Sequence, residues 1–142
     1  MKNNPNNKGE RGVRANIFSN RKFSVIDEIV HYGSKAQVLL IGIELLSKER
    51  ASKYKILKDA LIYANELLSP VDNPSKRQEI LDKFKKSPVK KLLSPYNFVK
   101  IGEKIVEDLE KELKEAKEER KTPIESYLSH LRSSIQFEKN KI

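Results

Sequence analysis

The alternation of apolar and polar positions is helical over most of the chain. Phe23, Ile26, Ile29 and Val30 recur at three- and four-residue spacing, which places them on one face of a short helix. Gly33-Ser34 then reads as a helix stop followed by an N-cap. Ala36 to Leu46 is apolar except for Gln37, Gly42 and Glu44, so a second helix, buried on most sides, is predicted there. Gly42 inside it costs about 1 kcal/mol against alanine, unless close packing needs it. Tyr54, Leu57, Leu61, Ala64 and Leu68 form a short seam at alternating spacings of three and four, the default use of which is packing against a neighbouring helix. Phe98, Ile101, Ile105, Leu109, Leu113 and Ala116 take five steps over 18 residues, a mean period of 3.6. That period predicts a straight amphipathic helix over 95–121. Its outer face from Glu103 to Lys121 mixes Glu and Lys in four-residue pairs, the pattern of a solvated surface.

Proline supplies the punctuation. All six prolines follow Ser, Thr or Asn, and a capping side chain followed by proline at the first helical position marks a helix start. Helices are therefore expected to begin near 74, 95 and 123, the first ending by Ser87. Thr122-Pro123-Ile124-Glu125 adds the glutamate of a capping box. Residues 1–12 are rich in Asn, Lys and Gly without apolar periodicity, the composition of a disordered basic arm. The expected fold is mainly α, a helical bundle with that arm and room for one short N-terminal strand. The chain divides into the arm at 1–12, a strand-helix-helix module at 13–69, and a helical region at 70–142 with a basic segment at 74–91.

Charge changes the picture from fold to partner. Lys and Arg number 29 against 20 Asp and Glu, a net charge of +9 on 142 residues. Residues 1–23 hold Lys2, Lys8, Arg11, Arg14, Arg21 and Lys22 against Glu10 alone. Residues 70–100 hold Lys76, Arg77, Lys83, Lys85, Lys86, Lys90, Lys91 and Lys100 against Asp72, Glu79 and Asp82. The rest of the chain is close to neutral, so two basic segments account for the excess. They point to a polyanionic partner.

Most chemistry is excluded or unsupported by composition. The absence of Cys removes disulfides and thiolate sites. His31 and His130 are tied by spacing to no carboxylate or nucleophile, and Asp27-Glu28 and Glu107-Asp108 are helix neighbours that point about 100° apart. No phosphate loop, serine elbow or histidine-pair motif occurs. No enzyme, metal site, cofactor or small-molecule substrate is expected. The polar N-terminus and the short apolar run Val38 to Leu46 predict a soluble, cytoplasmic chain rather than a membrane one.

The most specific pattern lies at 13–48. Val13, Ala15 and Ile17 alternate with Arg14 and Asn16, as on a strand. A helix, Gly33-Ser34 and a second helix follow. Strand, helix, glycine turn and helix together resemble the ribbon-helix-helix DNA-binding superfamily. The resemblance implies a homodimer whose paired strands enter the major groove. Arg14 and Asn16 would then face the bases, where Arg suits guanine and Asn suits adenine. It also implies that Ser34-Lys35, at the start of the second helix, meets a phosphate. Val25, Ile26, Ile29, Val38, Ile41 and Leu45 would be buried in the dimer. Read without the resemblance, the same residues are an N-terminal arm followed by an ordinary helical hairpin.

In the second basic segment, a helix from 74 turns Ile80, Leu81 and Phe84 inward and leaves Lys76, Lys83 and Lys86 outside. Lys-rich, Arg-poor composition favours phosphate contact by point charges over base reading. Tyr96 and Phe98 are near enough in sequence to stack on an unpaired base, although the core stripe also claims Phe98. The expected function is non-enzymatic nucleic-acid binding, to DNA rather than RNA, by Arg11, Arg14, Asn16, Arg21, Lys22, Lys35, Lys76, Arg77, Lys83, Lys86, Lys90 and Lys91. A repressor, plasmid-maintenance or other DNA-accessory role suits it. The alternative is a helical adaptor for an acidic protein, with the Tyr54–Leu68 seam holding an oligomer. A peripheral binder of anionic membranes is a third reading.

Overall fold

A computed structural model describes residues 24–69 and 72–142. Among them every regular element is helical: α1 Val25–Leu45, α2 Lys48–Ala51, a 3-10 turn Ser52–Tyr54, α3 Lys55–Leu68, a second 3-10 turn Pro74–Lys76, α4 Arg77–Lys86, α5 Val89–Leu92, α6 Pro95–Glu115 and α7 Glu118–Lys139. The fold is mainly α, as the apolar periodicity predicts. The expected arm at 1–12 and strand at 13–18 lie outside the described residues.

The chain divides into two compact units, Met1–His31 and Tyr32–Ile142. In the described part of the first, Ser24 caps α1: its hydroxyl accepts from the Asp27 N–H at 3.2 Å, and the Asp27 carboxylate accepts from the Ser24 N–H at 3.4 Å. Two donors at the helix start are satisfied reciprocally.

The expected break at Gly33-Ser34 does not occur; α1 runs through it. Gly33 does not adopt the left-handed backbone of a C-terminal cap. A glycine inside a helix costs about 1 kcal/mol. A break would forfeit several backbone hydrogen bonds across the junction, at about 1 kcal/mol each. Continuation wins.

In the second unit α6 and α7 form an antiparallel hairpin, since Glu103 pairs with Lys139 and Glu110 with Arg132. From Tyr32 onward α1 runs parallel to α6. Lys35 lies over the Phe98 ring, Gly42 faces Ile105, and the Ser47 N–H just beyond α1 reaches Glu112. Gly42 is the close approach that excuses a glycine in a buried helix. A Cβ there would lie 2.5 Å from the Tyr127 hydroxyl and 2.9 Å from Ile105 Cγ2. That hydroxyl donates to the Val38 carbonyl, so Tyr127 cannot retreat without losing a bond. Gly102 does the same between α6 and α7, with Ile135 carbons at 3.0 Å. Leu39, Leu40, Ile43 and Leu46 are buried, while Ile41 stays 38% exposed.

The seam at Tyr54, Leu61, Ala64 and Leu68 is buried within this one chain, with α3 packed on α4 and α5. Phe84 of α4 contacts Tyr32 with ring centroids 4.8 Å apart. Two of the proline signals hold. Asn73 caps the 3-10 turn at Pro74 that leads into α4, and Ser94 caps α6 with Pro95 in its first turn. The third does not: α7 starts at Glu118 and carries Pro123 inside it. Proline has no N–H for the carbonyl four residues back, and the residue that carries it, Glu119, is exposed. α6 correspondingly ends at Glu115 rather than 121.

Candidate nucleic-acid interface

The basic segment 74–91 folds as α4, a Ser87-Pro88 corner and α5. Leu81, Phe84 and Val89 are buried, which anchors the corner. Three- and four-residue spacing then leaves the lysines between them outward. Lys76, Lys83, Lys86, Lys90 and Lys91 are all exposed, and Arg77 is partly buried. Ser87 holds the turn by donating its hydroxyl to the Phe84 carbonyl at 2.7 Å. The Asn97 side chain of α6 donates to the Lys91 carbonyl at 2.8 Å, which ties α5 to the next helix.

What sets this corner apart is how closely its cations are gathered. Among the described residues, Lys76, Lys83, Lys86, Lys90 and Lys91 take part in no ion pair. Acids are at hand in the same helix: Glu79 and Asp82 precede Lys83 and Lys86 by four residues, and Asp82 instead accepts from the Gln78 side chain at 2.8 Å. The lysines are left to solvent and to any anion that arrives.

Lys35, expected at a helix start facing a phosphate, is a correction. It sits inside α1, is 6% exposed, and bonds Glu138 at 2.7 Å. Its Nζ also lies 5.3 Å from the centre of the Phe98 ring. Burial lowers the ammonium's pKa, against the opposing pull of Glu138. The unbroken helix is the reason, because Lys35 turns with it into the core. Arg11, Arg14, Asn16, Arg21 and Lys22 lie outside the described residues. Phe98 is buried and belongs to the core, whereas Tyr96 is 59% exposed.

The strongest polar cluster was not visible in sequence. Asp108 and Glu112, one turn apart on α6, are buried and meet the connection between α1 and α3. Asp108 accepts from the Tyr54 hydroxyl at 2.5 Å and from Lys53 at 3.1 Å. Glu112 accepts from the Ser47 N–H at 2.6 Å and pairs with Arg50 at 3.0 Å and Arg120 at 3.6 Å. Arg50 also grips Glu115 through two bonds of 2.9 Å, and Arg120 donates to the Leu45 carbonyl at 2.7 Å. Burial works to raise both buried carboxyls, and the hydrogen bonds outweigh it, leaving Asp108 and Glu112 below their ordinary values. Burial and the bond to Asp108 push the Tyr54 phenol up.

Every acceptor in this cluster is occupied by a neighbour, which suits a structural clamp. His130 is exposed on α7. Among the described residues no group of three or more His, Asp or Glu could hold a metal ion, and no helix is long and apolar enough to cross a membrane. No family model, curated protein or solved structure matches the chain.

Proposed function

We propose that this protein is a non-enzymatic nucleic-acid-binding protein that holds a sugar-phosphate backbone on the lysine corner formed by α4 and α5. The observation that supports this is the gathering of five exposed lysines without ion pairs, Lys76, Lys83, Lys86, Lys90 and Lys91, in one short helical corner. Leaving ammonium groups uncompensated costs the fold self-repulsion, and that cost is returned when a polyanion displaces its own counterions. Lysine is a point charge on a flexible stem, suited to phosphates at variable positions and poorly suited to bidentate reading of a base. Duplex DNA is the proposed partner, in the role of a regulator or DNA-accessory factor.

The test is duplex affinity as a function of salt. If about seven phosphates are met across the two basic segments, log K falls against log[salt] with a slope of about −6. Absence of binding at low salt overturns the proposal. Polyglutamate that competes as well as DNA at matched charge replaces it with the acidic-protein alternative.

A further inference from the structure

Tyr96 stands at the edge of the lysine corner, and the fold holds its backbone firmly while leaving its side chain exposed. It occupies the first turn of α6, whose start is fixed at three points. The Ser94 hydroxyl accepts from the Asn97 N–H at 3.3 Å, the Ser94 carbonyl accepts from the Phe98 N–H at 2.8 Å, and the Asn97 side chain donates to the Lys91 carbonyl at 2.8 Å. Phe98, two positions on, is buried. That anchors the turn and directs Tyr96 away from the core. Tyr96 is 59% exposed, and Lys100 places its Nζ 5.3 Å from the ring centre. Among the described residues the Tyr96 hydroxyl has no hydrogen-bond partner. An exposed aromatic side chain with an ammonium group at its ring matches both halves of a nucleotide, because the base stacks on the ring while the lysine meets a phosphate.

We infer that Tyr96, with Lys100 at its ring, is a stacking platform for an unpaired base, and that the corner therefore favours duplex DNA that carries an unpaired segment over a blunt duplex. This rests on the reading of the α4–α5 corner as a nucleic-acid surface. A paired base buries its faces against its neighbours in the helix, so only an unpaired one can lie on the ring. No hydrogen-bond reading is involved, and the site accepts any base.

The experiment compares an oligothymidine strand with a blunt duplex, each titrated against the full chain and its Tyr96 variants. Tyr96→Ala lowers affinity for the single strand about tenfold and moves that for the blunt duplex by less than about twofold, while Tyr96→Phe keeps both near the parent values. The chain has no tryptophan, so in Tyr96→Trp all indole emission comes from this position and is quenched when oligothymidine binds. Equal losses on both probes, no loss on either, or unquenched emission at saturation overturns the platform while salt-dependent binding by the lysines stands. If the parent chain binds neither probe at low salt, the nucleic-acid reading itself falls.

Discussion

Arg50, Lys53 and Arg120 on the clamp, and Lys83, Lys86, Lys90 and Lys91 on the α4–α5 corner, are all cations, placed in opposite surroundings. The first three close onto buried carboxylates of α6. The other four stand in solvent without an ion pair, Lys83 and Lys86 even with Glu79 and Asp82 four residues before them. A cation that meets a buried anion is a structural element: removing it strands the anion in a poorly solvated place. A cation in water with no partner contributes little to folding and remains available for binding. The difference separates charges that hold the fold from charges that serve a partner, and each can be tested by the damage its removal causes.

The largest effect is expected at Arg50. Arg50→Met leaves Glu112 buried with the Ser47 N–H and the more distant Arg120, and loses the two bonds to Glu115. Removing a cation from a buried carboxylate destabilises the fold, read as a shift in the urea midpoint at unchanged slope. Glu112→Gln added to it removes the stranded charge and restores part of the loss. If the double variant is no better than the single one, Glu112 is not the group that Arg50 compensates.

A smaller loss is expected at Lys35, about 2 kcal/mol for Lys35→Met, because Lys141 at 3.1 Å still partners Glu138. Glu138→Gln in the same background relieves it. A Lys35→Met variant as stable as the parent, yet weaker in DNA binding, would return Lys35 to the binding surface and erase its half of the contrast.

Acid provides a third and gentler probe. Asp108, Glu112 and Glu138 have pKa values below the ordinary 3.8 for Asp and 4.5 for Glu. Burial opposes this in all three, and hydrogen bonds from Tyr54 and Lys53, from Ser47 and Arg50, and from Lys35 and Lys141 outweigh it. A carboxyl with a depressed folded-state pKa contributes stability that is complete above its unfolded value and is lost as the pH falls through the folded one. Melting temperature should therefore hold through neutral pH and drop below the ordinary carboxylate range. Glu112→Gln, already neutral, should show a shallower drop. An acid limb unchanged by that substitution would show that the clamp carries no ionic share of stability.

The two regions also differ in how much of them the chain declares locally. The corner was legible because its determinants are neighbours: Leu81 and Phe84 at helical spacing, lysines between them, and Ser-Pro or Asn-Pro pairs at its boundaries. Each is decided within a turn or two. The clamp was not, because its partners, the Glu112–Arg120 pair aside, lie 54 to 75 residues apart, from Tyr54–Asp108 to Leu45–Arg120. Periodicity places Asp108 beside Leu109 and Glu112 beside Leu113 at the margin of the apolar stripe, the one local hint that these acids border a core. It cannot say which cation meets them. Gly33 and Thr122-Pro123 misled for a related reason: a local stop or start signal worth about 1 kcal/mol yields to a helix that packs along its length.

The smallest stability effect should come from the corner itself, and its size is set by two opposed terms. Lys83 and Lys86 occupy the last turn of α4, where a cation gains about 0.3–1 kcal/mol from the unsatisfied carbonyls at the helix end. Against that, they share the corner with Lys76, Lys90 and Lys91 and repel them, a penalty of similar size that salt also screens. Replacing Lys83, Lys86, Lys90 and Lys91 by Gln removes both terms, so the urea midpoint should move by no more than about 0.5 kcal/mol in either direction. DNA affinity should fall while the salt slope becomes shallower by about 0.9 for each replaced lysine that met a phosphate. A destabilisation as large as that of Arg50→Met would place these lysines with the structural cations. An unchanged salt slope would mean that phosphates are met elsewhere in the chain. The contrast survives only if stability stays and the slope moves, since a charge kept for a partner should be missed by the partner and not by the fold.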